Sequence, residues 1–500
     1  MDLLHHLALG FGQAASPLNL LFCLIGCLLG TLIGVLPGIG PIATIAMLLP
    51  ITYGMPPVTS LIMLAGIYYG AQYGGSTTAI LVNLPGEASS VVTCIDGYKM
   101  AQKGRAGAAL ATAALGSFFA GCVGTVFLAA FAPALAAFSN DFASPEYCSL
   151  MTLGLVAAVV LARGSVLKAS AAVFLGLLLG MIGTDVTSGV PRYVFGIPDF
   201  YDGMNFLPLA LGLFGFAEMM GNLENPTGDR TVVTQKITTL WPNREEFRRA
   251  WPAVLRGTGL GSLLGILPGG GAVLAAFASY TLEKKIAKDP SRFGNGAIEG
   301  VAGPESANNA GAQTSFIPLL TLGLPATPVM ALMMGAMIIQ GMAPGTLLIK
   351  ERPDLFWGMT ASMWIGNLML VIINLPLIGM WVKLLQIPYR LLFPCILLFI
   401  CVGVYTIHSS TFEVMLTAIC AIGGYFFAKL GIEGAPLLLG FILGPLMEEN
   451  LRRTLVISNG DPSVFLTRPI SAVLLAFAVF LLALIVLPQV RTTREEAFQE

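Results

Sequence analysis

The run from Leu3 to Gly86 contains no Asp, Glu, Lys or Arg. It is 84 residues long, whereas one membrane-spanning helix needs roughly 20 apolar residues. The run is therefore long enough to cross a bilayer more than once. Only 11% of the whole chain is charged and 56% is hydrophobic, while a typical soluble domain is about 25% charged. An ordinary soluble enzyme, a disordered chain and a single-span anchor with a soluble domain are all excluded.

Apolar stretches recur along the whole chain and predict an all-α polytopic membrane protein with about ten to twelve transmembrane helices. Glycine and proline cluster inside these stretches, and in lipid an interrupted backbone must be buried in protein or line a cavity. Broken or re-entrant segments are therefore expected. The N-terminus has no Lys or Arg before its apolar run, which predicts a retained first span rather than a cleaved signal peptide. A net charge of -1 without a basic tail indicates no nucleic-acid partner.

Two basic stretches, 223–256 and 283–297, predict the orientation of the segment between them. Both are expected on the cytoplasmic side, and 223–256 is interpreted as a cytoplasmic basic linker. The apolar segment Gly257 to Leu282 would then enter and leave the membrane on the same side, as a re-entrant hairpin does. The alternative is that one of the two basic loops departs from the positive-inside pattern.

Two motifs recur in the same order. GTLIGVLPGIG at 30–40 matches GSLLGILPGGG at 261–271 at an offset of 231 residues. GAQ at 70–72 recurs at an offset of 241 residues, and LP at 84–85 recurs at an offset of 240. This predicts an internal duplication, with a first half at 1–222 and a second half at 257–500. One half begins at an uncharged terminus and the other after a basic linker, which favours repeats of inverted topology, as in secondary transporters.

The two LPG motifs are predicted to interrupt helices. Proline lacks a backbone donor, glycine permits irregular dihedral angles, and Pro41 suits the first position of a restarted helix. The N-terminus of a restarted helix offers free N–H groups to an anion. The alternative is a kink or close helix packing by small residues. The glycines predicted to bind substrate here are Gly38, Gly40, Gly269 and Gly270.

Hydroxyl and amide side chains in otherwise apolar segments form the rest of the predicted substrate site. Such groups suit carboxylate oxygens, and freed carbonyls suit a sodium ion. The alternative role is interhelical hydrogen bonding, worth about 0.6 kcal/mol each. The residues are Ser76, Thr77, Thr78, Asn83, Asn308, Asn309, Thr314, Ser315 and Thr327.

Ionisable side chains near these motifs are few. Glu87 and Glu305 adjoin the polar motifs and are candidates for coupling to a proton or cation, together with Asn83 and Asn309. Glu218 is expected at a helix end. The histidines have no metal-ligand spacing, so no resident metal or cofactor is expected, only a transported sodium ion or proton as the coupling cation.

Several longer motifs resemble those of one family, the large membrane subunit (TctA family) of the bacterial tripartite tricarboxylate transporters. The sequence departs from the family pattern in two places. Lys99 stands where proline is common, and Ala326 stands where glycine often follows LP. The motifs are YGGSTTAILVNLPGEASS (73–90), DGYKMAQKGRAG (96–107), GPESANNA (303–310), LTLGLPATP (320–328) and LGPLMEENLRRTL (443–455), together with GTLIGVLPGIGP (30–41).

The resemblance implies a translocation subunit in the bacterial inner membrane. It implies a periplasmic solute-binding protein and a small membrane subunit as partners, a small di- or tricarboxylate as substrate, and an ion gradient as the driving force. A stand-alone carrier without a binding protein is the first alternative, and a passive channel is a weaker one. An intramembrane enzyme is a remote alternative, because HExxH and GxSxG motifs are missing. An ATP-driven mechanism lacks its GxxxxGK[ST] motif.

Overall fold

The computed structural model is helical almost throughout, as the composition predicts. It describes residues 3–36, 40–138, 141–162, 165–185, 188–216, 220, 224, 240–267, 271–342, 345–384, 394, 397–398, 400–405 and 409–486. Within these residues, β-structure is limited to one antiparallel pair, β1 (Gly183–Thr184) and β2 (Pro191–Arg192). The predicted all-α class is confirmed.

The α-helices differ widely in length. Short 3-10 turns lie at Ala88–Ser90, Pro198–Phe200 and Pro290–Arg292, and a π-helical turn at Leu211–Phe216. The α-helices are α1 (Leu3–Ala14), α2 (Pro17–Val35), α3 (Pro41–Thr52), α4 (Pro57–Val82), α5 (Val91–Gln102), α6 (Ala106–Phe138), α7 (Ser144–Leu161), α8 (Val166–Gly180), α9 (Phe206–Ala210), α10 (Arg244–Leu264), α11 (Gly271–Ile286), α12 (Glu299–Thr314), α13 (Phe316–Leu322), α14 (Pro328–Ile339), α15 (Thr346–Glu351), α16 (Pro353–Asn374), α17 (Ile378–Leu384), α18 (Thr411–Lys429), α19 (Gly434–Ile457), α20 (Val464–Thr467) and α21 (Pro469–Val486).

Four of the described helices are long and apolar enough to cross a membrane. They are α2, residues Ala106–Phe131 of α6, α16 and α18. Shorter apolar helices include α3, α8 and α14. The chain is thus a membrane protein, and the count of ten to twelve crossings stays a prediction.

The chain divides into two compact units, and each unit takes one segment from each predicted half. The first comprises Met1–Ala136 and Glu218–Ile407, and the second comprises Ala137–Ala217 and His408–Glu500. All the predicted site residues lie in the first unit. Sequence halves and compact units therefore do not coincide, because elements of one half pack with elements of the other.

In the first unit, α2 and α4 pack backbone against backbone. Glycines recur every fourth residue on α2, and a β-carbon at any of them would lie 2.3 Å from a carbonyl oxygen of α4. Only glycine permits so close an approach. The contacting pairs are Gly26 with Met63, Gly30 with Ile67, and Gly34 with Ala71.

Helices α10 and α12 repeat this contact. A β-carbon at the corresponding glycines of α10 would lie 2.2–2.4 Å from carbonyl oxygens of α12. The glycines of α10 follow those of α2 by 231 residues in the sequence, and their partners on α12 follow those on α4 by 240. The two helix pairs therefore correspond position by position. The contacting pairs are Gly257 with Gly303, Gly261 with Ala307, and Gly265 with Gly311.

One helix ends just before the Pro-Gly of each LPG motif and another begins just after it, as predicted, while residues 37–39 and 268–270 themselves lie outside the described residues. Helix α2 ends at Val35 and α3 begins at Pro41, which stands at the first helical position. Helix α10 ends at Leu264 and α11 begins at Gly271, which has a φ of 43°. Each half therefore contains a long helix, a break and a second helix.

The predicted linker 223–256 is partly helical, and its cytoplasmic location stays a prediction. Its last thirteen residues belong to α10, which begins at Arg244. Asn243 caps this helix by accepting a hydrogen bond from the backbone of Glu246 at 2.8 Å. Ala253 and Val254 are buried, because α10 packs along α12. The basic residues Arg244, Arg248 and Arg249 lie at exposed positions of the same helix.

Asp96, in the DGYK segment of α5, joins the two halves within the first unit. Its fully buried carboxylate accepts hydrogen bonds from the backbone N–H groups of Gly296 and Ala297 at 2.7 and 2.8 Å. The Tyr280 hydroxyl on α11 donates a third at 2.9 Å. Backbone donors and a hydroxyl thus satisfy this carboxylate, which holds the loop before α12 in place.

In the second unit, a group of charges holds the β1–β2 hairpin against α19. The buried carboxylate of Asp185 pairs with Arg452 at 2.9 Å, and Arg192 pairs with Glu448 at 2.8 Å. Arg452 also pairs with Glu448 at 2.7 Å. Glu448 and Arg452 belong to the LGPLMEENLRRTL segment, and Asp185 and Arg192 contact it. This motif therefore holds the hairpin in place.

Candidate functional site

Two matching turns interrupt the first unit at the LP motifs. Asn83 caps the C-terminus of α4 and Gly323 caps that of α13, and both capping residues have left-handed backbones, with φ of 59° and 69°. Asparagine and glycine tolerate this conformation better than other residues. Leu-Pro follows in each case, and proline cannot continue the helical hydrogen bonds.

A capping residue follows each LP turn at an equivalent position. Glu87 precedes the 3-10 turn Ala88–Ser90, and Thr327 precedes α14, both with extended backbones. The Thr327 hydroxyl accepts a hydrogen bond from the Met330 N–H at 3.2 Å. The two turns therefore share a backbone path, but one carries a carboxylate where the other carries a hydroxyl.

The elements that follow the LPG motif of one half contact the elements that follow the LP turn of the other half. Helix α3, which follows the first LPG break, contacts α14, which follows the second LP turn. Helix α11, which follows the second LPG break, contacts α5 and the 3-10 turn, which follow the first LP turn. Such exchange of equivalent partners is the pattern that a two-fold axis produces.

Glu305 on α12 is fully buried among hydroxyl groups. One carboxylate oxygen lies 2.6 Å from the Ser76 hydroxyl of α4, and the other lies within hydrogen-bonding distance of the Thr93 hydroxyl of α5. Among the residues that the structure describes, no Lys, Arg or His forms an ion pair with Glu305. The carboxyl group is thus held by neutral donors from two helices of the other half.

The two asparagines of α12 have different partners. Asn309 donates to the Ser117 hydroxyl on α6 at 2.7 Å and to the Glu305 carbonyl at 3.1 Å. Asn308 donates to the Glu87 carboxylate at 3.4 Å, while its own side-chain oxygen is buried without a partner. A buried polar atom without a partner is uncommon and indicates a site for water or a ligand.

A polar cluster lies where α4 meets the two LP turns. The Tyr68 hydroxyl of α4 interacts with the side chains of Gln72, Ser315 and Thr327. The hydroxyl of Ser89, which follows the first LP turn, lies 3.0 Å from Gln72 Oε1 and within hydrogen-bonding distance of the Glu87 carboxylate, and it can donate to either. Hydroxyls and amides from both halves therefore meet in one region.

A small cavity lies beside α4. The predicted residues Ser76 and Thr77 line it, together with Tyr73, Ser117 and Asn374. The Tyr73 hydroxyl and the Asn374 side-chain oxygen are buried without hydrogen-bond partners. The cavity walls therefore present polar atoms that water or a ligand can satisfy.

The structure brings some of the predicted residues together and separates others. Ser76, Asn308 and Asn309 contact the two acidic residues or their hydroxyl partners, and Ser315 and Thr327 join the Tyr68 cluster. Gly40 lies at the start of α3. Gly38, Gly269 and Gly270, along with Glu218, lie outside the described residues.

Three predicted substrate ligands have other partners in the structure. The Thr78 hydroxyl lies 2.9–3.2 Å from the carbonyl oxygens of Gly34, Val35 and Gly74, and so ties α4 to the end of α2. Thr314 donates to a carbonyl of its own helix at 3.0 Å. The exposed Asn83 supplies the left-handed turn.

The sequence prediction missed several members of the site, namely Tyr68, Gln72, Ser89, Thr93 and Ser117. Each is a polar residue in or beside an apolar helix, which is a usable signal for Tyr68 and Gln72 because both stand on the repeated helix. The GAQ match is also one residue out of register. The helix contacts equate Ala71 with Gly311, which pairs Gln72 with Ala312 rather than with Gln313.

Comparison with known proteins identifies the family. The model of the tripartite tricarboxylate transporter TctA family matches residues 20–439. An uncharacterized 52.8 kDa protein in the TAR-I ttuC' 3' region of Agrobacterium vitis is 59% identical over 500 residues, which are 100% of this chain and 99% of that protein. An uncharacterized protein in the TAR-II ttuC' 3' region of the same organism is 60% identical over 240 residues, 48% of this chain and 99% of that protein. No solved structure matches.

Proposed function

The chain belongs to the tripartite tricarboxylate transporter TctA family, and we propose that it is the translocation subunit for a small di- or tricarboxylate. In this proposal it lies in the bacterial inner membrane and works with a periplasmic solute-binding protein and a small membrane subunit. A sodium or proton gradient drives uptake. The family is a family of transporters, so an enzymatic reaction is not proposed.

The observation that carries this proposal is the meeting of both LP turns at one polar cluster. Tyr68, Gln72, Asn308 and Thr327 offer hydroxyl and amide groups from both halves of the chain. Neutral donors of this kind can bind a carboxylate and release it again, whereas a fixed cation would hold it more tightly. The starts of α3 and α11, which follow the two LPG motifs, add backbone N–H groups of the kind that bind anions.

The reciprocal contacts of α3 with α14 and of α11 with α5 support repeats related by a two-fold axis. Together with the basic loops at 223–256 and 283–297, they favour an inverted arrangement, with the axis in the membrane plane. Alternating access would then follow from movement of one set of elements against the other around the cluster.

Uptake into proteoliposomes tests the proposal. We would reconstitute the chain with its small membrane subunit and measure labelled citrate within a panel of di- and tricarboxylates. Inward sodium and proton gradients would be applied separately, with and without the binding protein. Uptake that needs a gradient and the binding protein is the expected result. Uptake without the binding protein would identify a stand-alone carrier, and uptake without any gradient would identify a passive channel.

Matched variants test the site itself. Asn308→Ala removes the amide that contacts Glu87 and is expected to lower uptake at least tenfold. Asn295→Ala, in the exposed loop before α12, makes the same change away from the cluster and is expected to leave uptake intact. Equal uptake by both variants would remove the Tyr68 cluster from the proposal.

A further inference from the structure

The hydroxyl of Ser76 faces two acceptors but has one proton to donate. Its oxygen lies 2.9 Å from the Gln72 carbonyl oxygen, one helical turn away, and 2.6 Å from Glu305 Oε2. If serine donates to the carbonyl, the proton between Ser76 and Glu305 must belong to Glu305. If Glu305 is ionised, serine must turn its proton toward the carboxylate. The same atoms thus fit both charge states of Glu305 with only a rotation of the hydroxyl.

A negative charge on Glu305 would be poorly compensated. The side chain is fully buried, and its described contacts are neutral hydroxyls rather than cations. Burying an unpaired carboxylate is costly, and such groups take up a proton or a cation instead. Among the described residues, the titratable side chains that interact electrostatically with Glu305 include Tyr73 on α4, Cys94 on α5 and Glu87 before the 3-10 turn. None of these three brings a positive charge.

Ser76 also connects Glu305 to the cavity. The cavity is lined by Ser76, Ser117, Tyr73 and Asn374, and the last two residues each have a polar side-chain atom without a hydrogen-bond partner. A water molecule needs two to four polar partners, and these side chains supply them. A water molecule in this cavity would therefore exchange a proton with Glu305 through the Ser76 hydroxyl.

We propose that Glu305 carries the coupling proton of this transporter and exchanges it with the cavity through Ser76. This inference rests on the proposed function and narrows its coupling ion to the proton. The physical reason for coupling is charge. A carboxylate substrate at the Tyr68 cluster would lie near Glu87 and Glu305, so an ionised Glu305 repels it and a protonated Glu305 does not.

Glu305→Gln separates coupling from transport itself. The glutamine amide can donate to Ser76, as the protonated acid does, but it cannot release a proton. In proteoliposomes with both partner proteins, we would measure labelled citrate in two ways. One assay is exchange at equilibrium without gradients, and the other is accumulation under an imposed pH gradient with equal sodium on both sides.

We expect Glu305→Gln to retain exchange within about threefold and to lose accumulation by at least tenfold. Glu449→Gln makes the same chemical change at an exposed position of α19 and is expected to retain both activities. Accumulation by Glu305→Gln under the pH gradient would overturn the proposal. So would wild-type accumulation that follows sodium alone.

A second measurement does not depend on transport or on the folding of a variant. Carbodiimides modify protonated carboxyl groups, so modification of the wild-type protein is followed by mass spectrometry across pH. Labelling of Glu305 that decreases as the pH rises is expected, and absence of labelling at every pH would overturn the proposal. A wild-type protein that moves no carboxylate while Glu305 still labels would refute the proposed function but leave the proton site standing.

Discussion

The close contact of α10 with α12 can be tested by two alanine substitutions on the same helix. A β-carbon at Gly261 would lie 2.2 Å from the Ala307 carbonyl oxygen, whereas one at Gly259 would have nothing within 4 Å. Ordinary C···O contacts are about 3.3–3.6 Å, so Gly261→Ala must push the helices apart by about 1 Å. Overpacking of this kind costs about 1–3 kcal/mol.

Both substitutions gain the same helix propensity, about 1 kcal/mol for alanine over glycine. The difference between the variants therefore isolates the steric effect, about 1–3 kcal/mol. For domains of 150–250 residues, 1 kcal/mol shifts Tm by about 2–4 °C. We expect Gly261→Ala to unfold several degrees below Gly259→Ala in detergent at one scan rate, and to transport more slowly because α12 carries Glu305 and Asn308. Equal Tm values would refute the close packing of this helix pair.

Three further predictions concern the contacts around the site and the hairpin. Thr78→Val should cost about 1 kcal/mol by removing the hydroxyl bonded to α2, measured as a lower Tm that Thr78→Ser restores. Asp96→Asn should weaken the bonds to the loop before α12 and cost about 1–3 kcal/mol, which trypsin would reveal as faster cleavage at 283–297. Arg452→Ala should destabilise the protein by about 1–3 kcal/mol because the buried Asp185 carboxylate loses its closer arginine and Glu448 loses a second one, while Arg453→Ala, which loses one exposed pair, should cost under about 1 kcal/mol. Indistinguishable Tm values for the two arginine variants would contradict the structure.

The sequence predicted the features that depend on local chemistry. Proline and glycine in the LPG and LP motifs act within a few residues of themselves, so the helix interruptions near Pro37 and Pro268 could be located from the sequence alone. The repeated glycine motif was also visible, because the glycines that contact the partner helix recur with fixed spacing, and the duplication inferred from it stays a prediction. The family assignment followed from motifs and is confirmed by the family match.

The direction of each polar side chain could not be predicted in the same way. Nearly every residue of α4 is buried, so the helix has no polar face to indicate which hydroxyl points to the site. Ser76 and Thr78 are two residues apart, yet one contacts Glu305 and the other contacts α2. The Thr93 contact with Glu305 joins residues 212 positions apart, and no local pattern encodes it.

The glycine contacts of α2 with α4 also have a mechanical consequence. Where carbonyl oxygens meet glycine α-carbons along several turns, no side chains lie between the helices to bend or change rotamer. Sliding one helix by a fraction of a turn would drive a neighbouring side chain into the backbone of the other. Each helix pair is therefore expected to move as one rigid body. The torsional freedom for any large rearrangement is then left to the short non-helical turns, around 83–87 and 323–327.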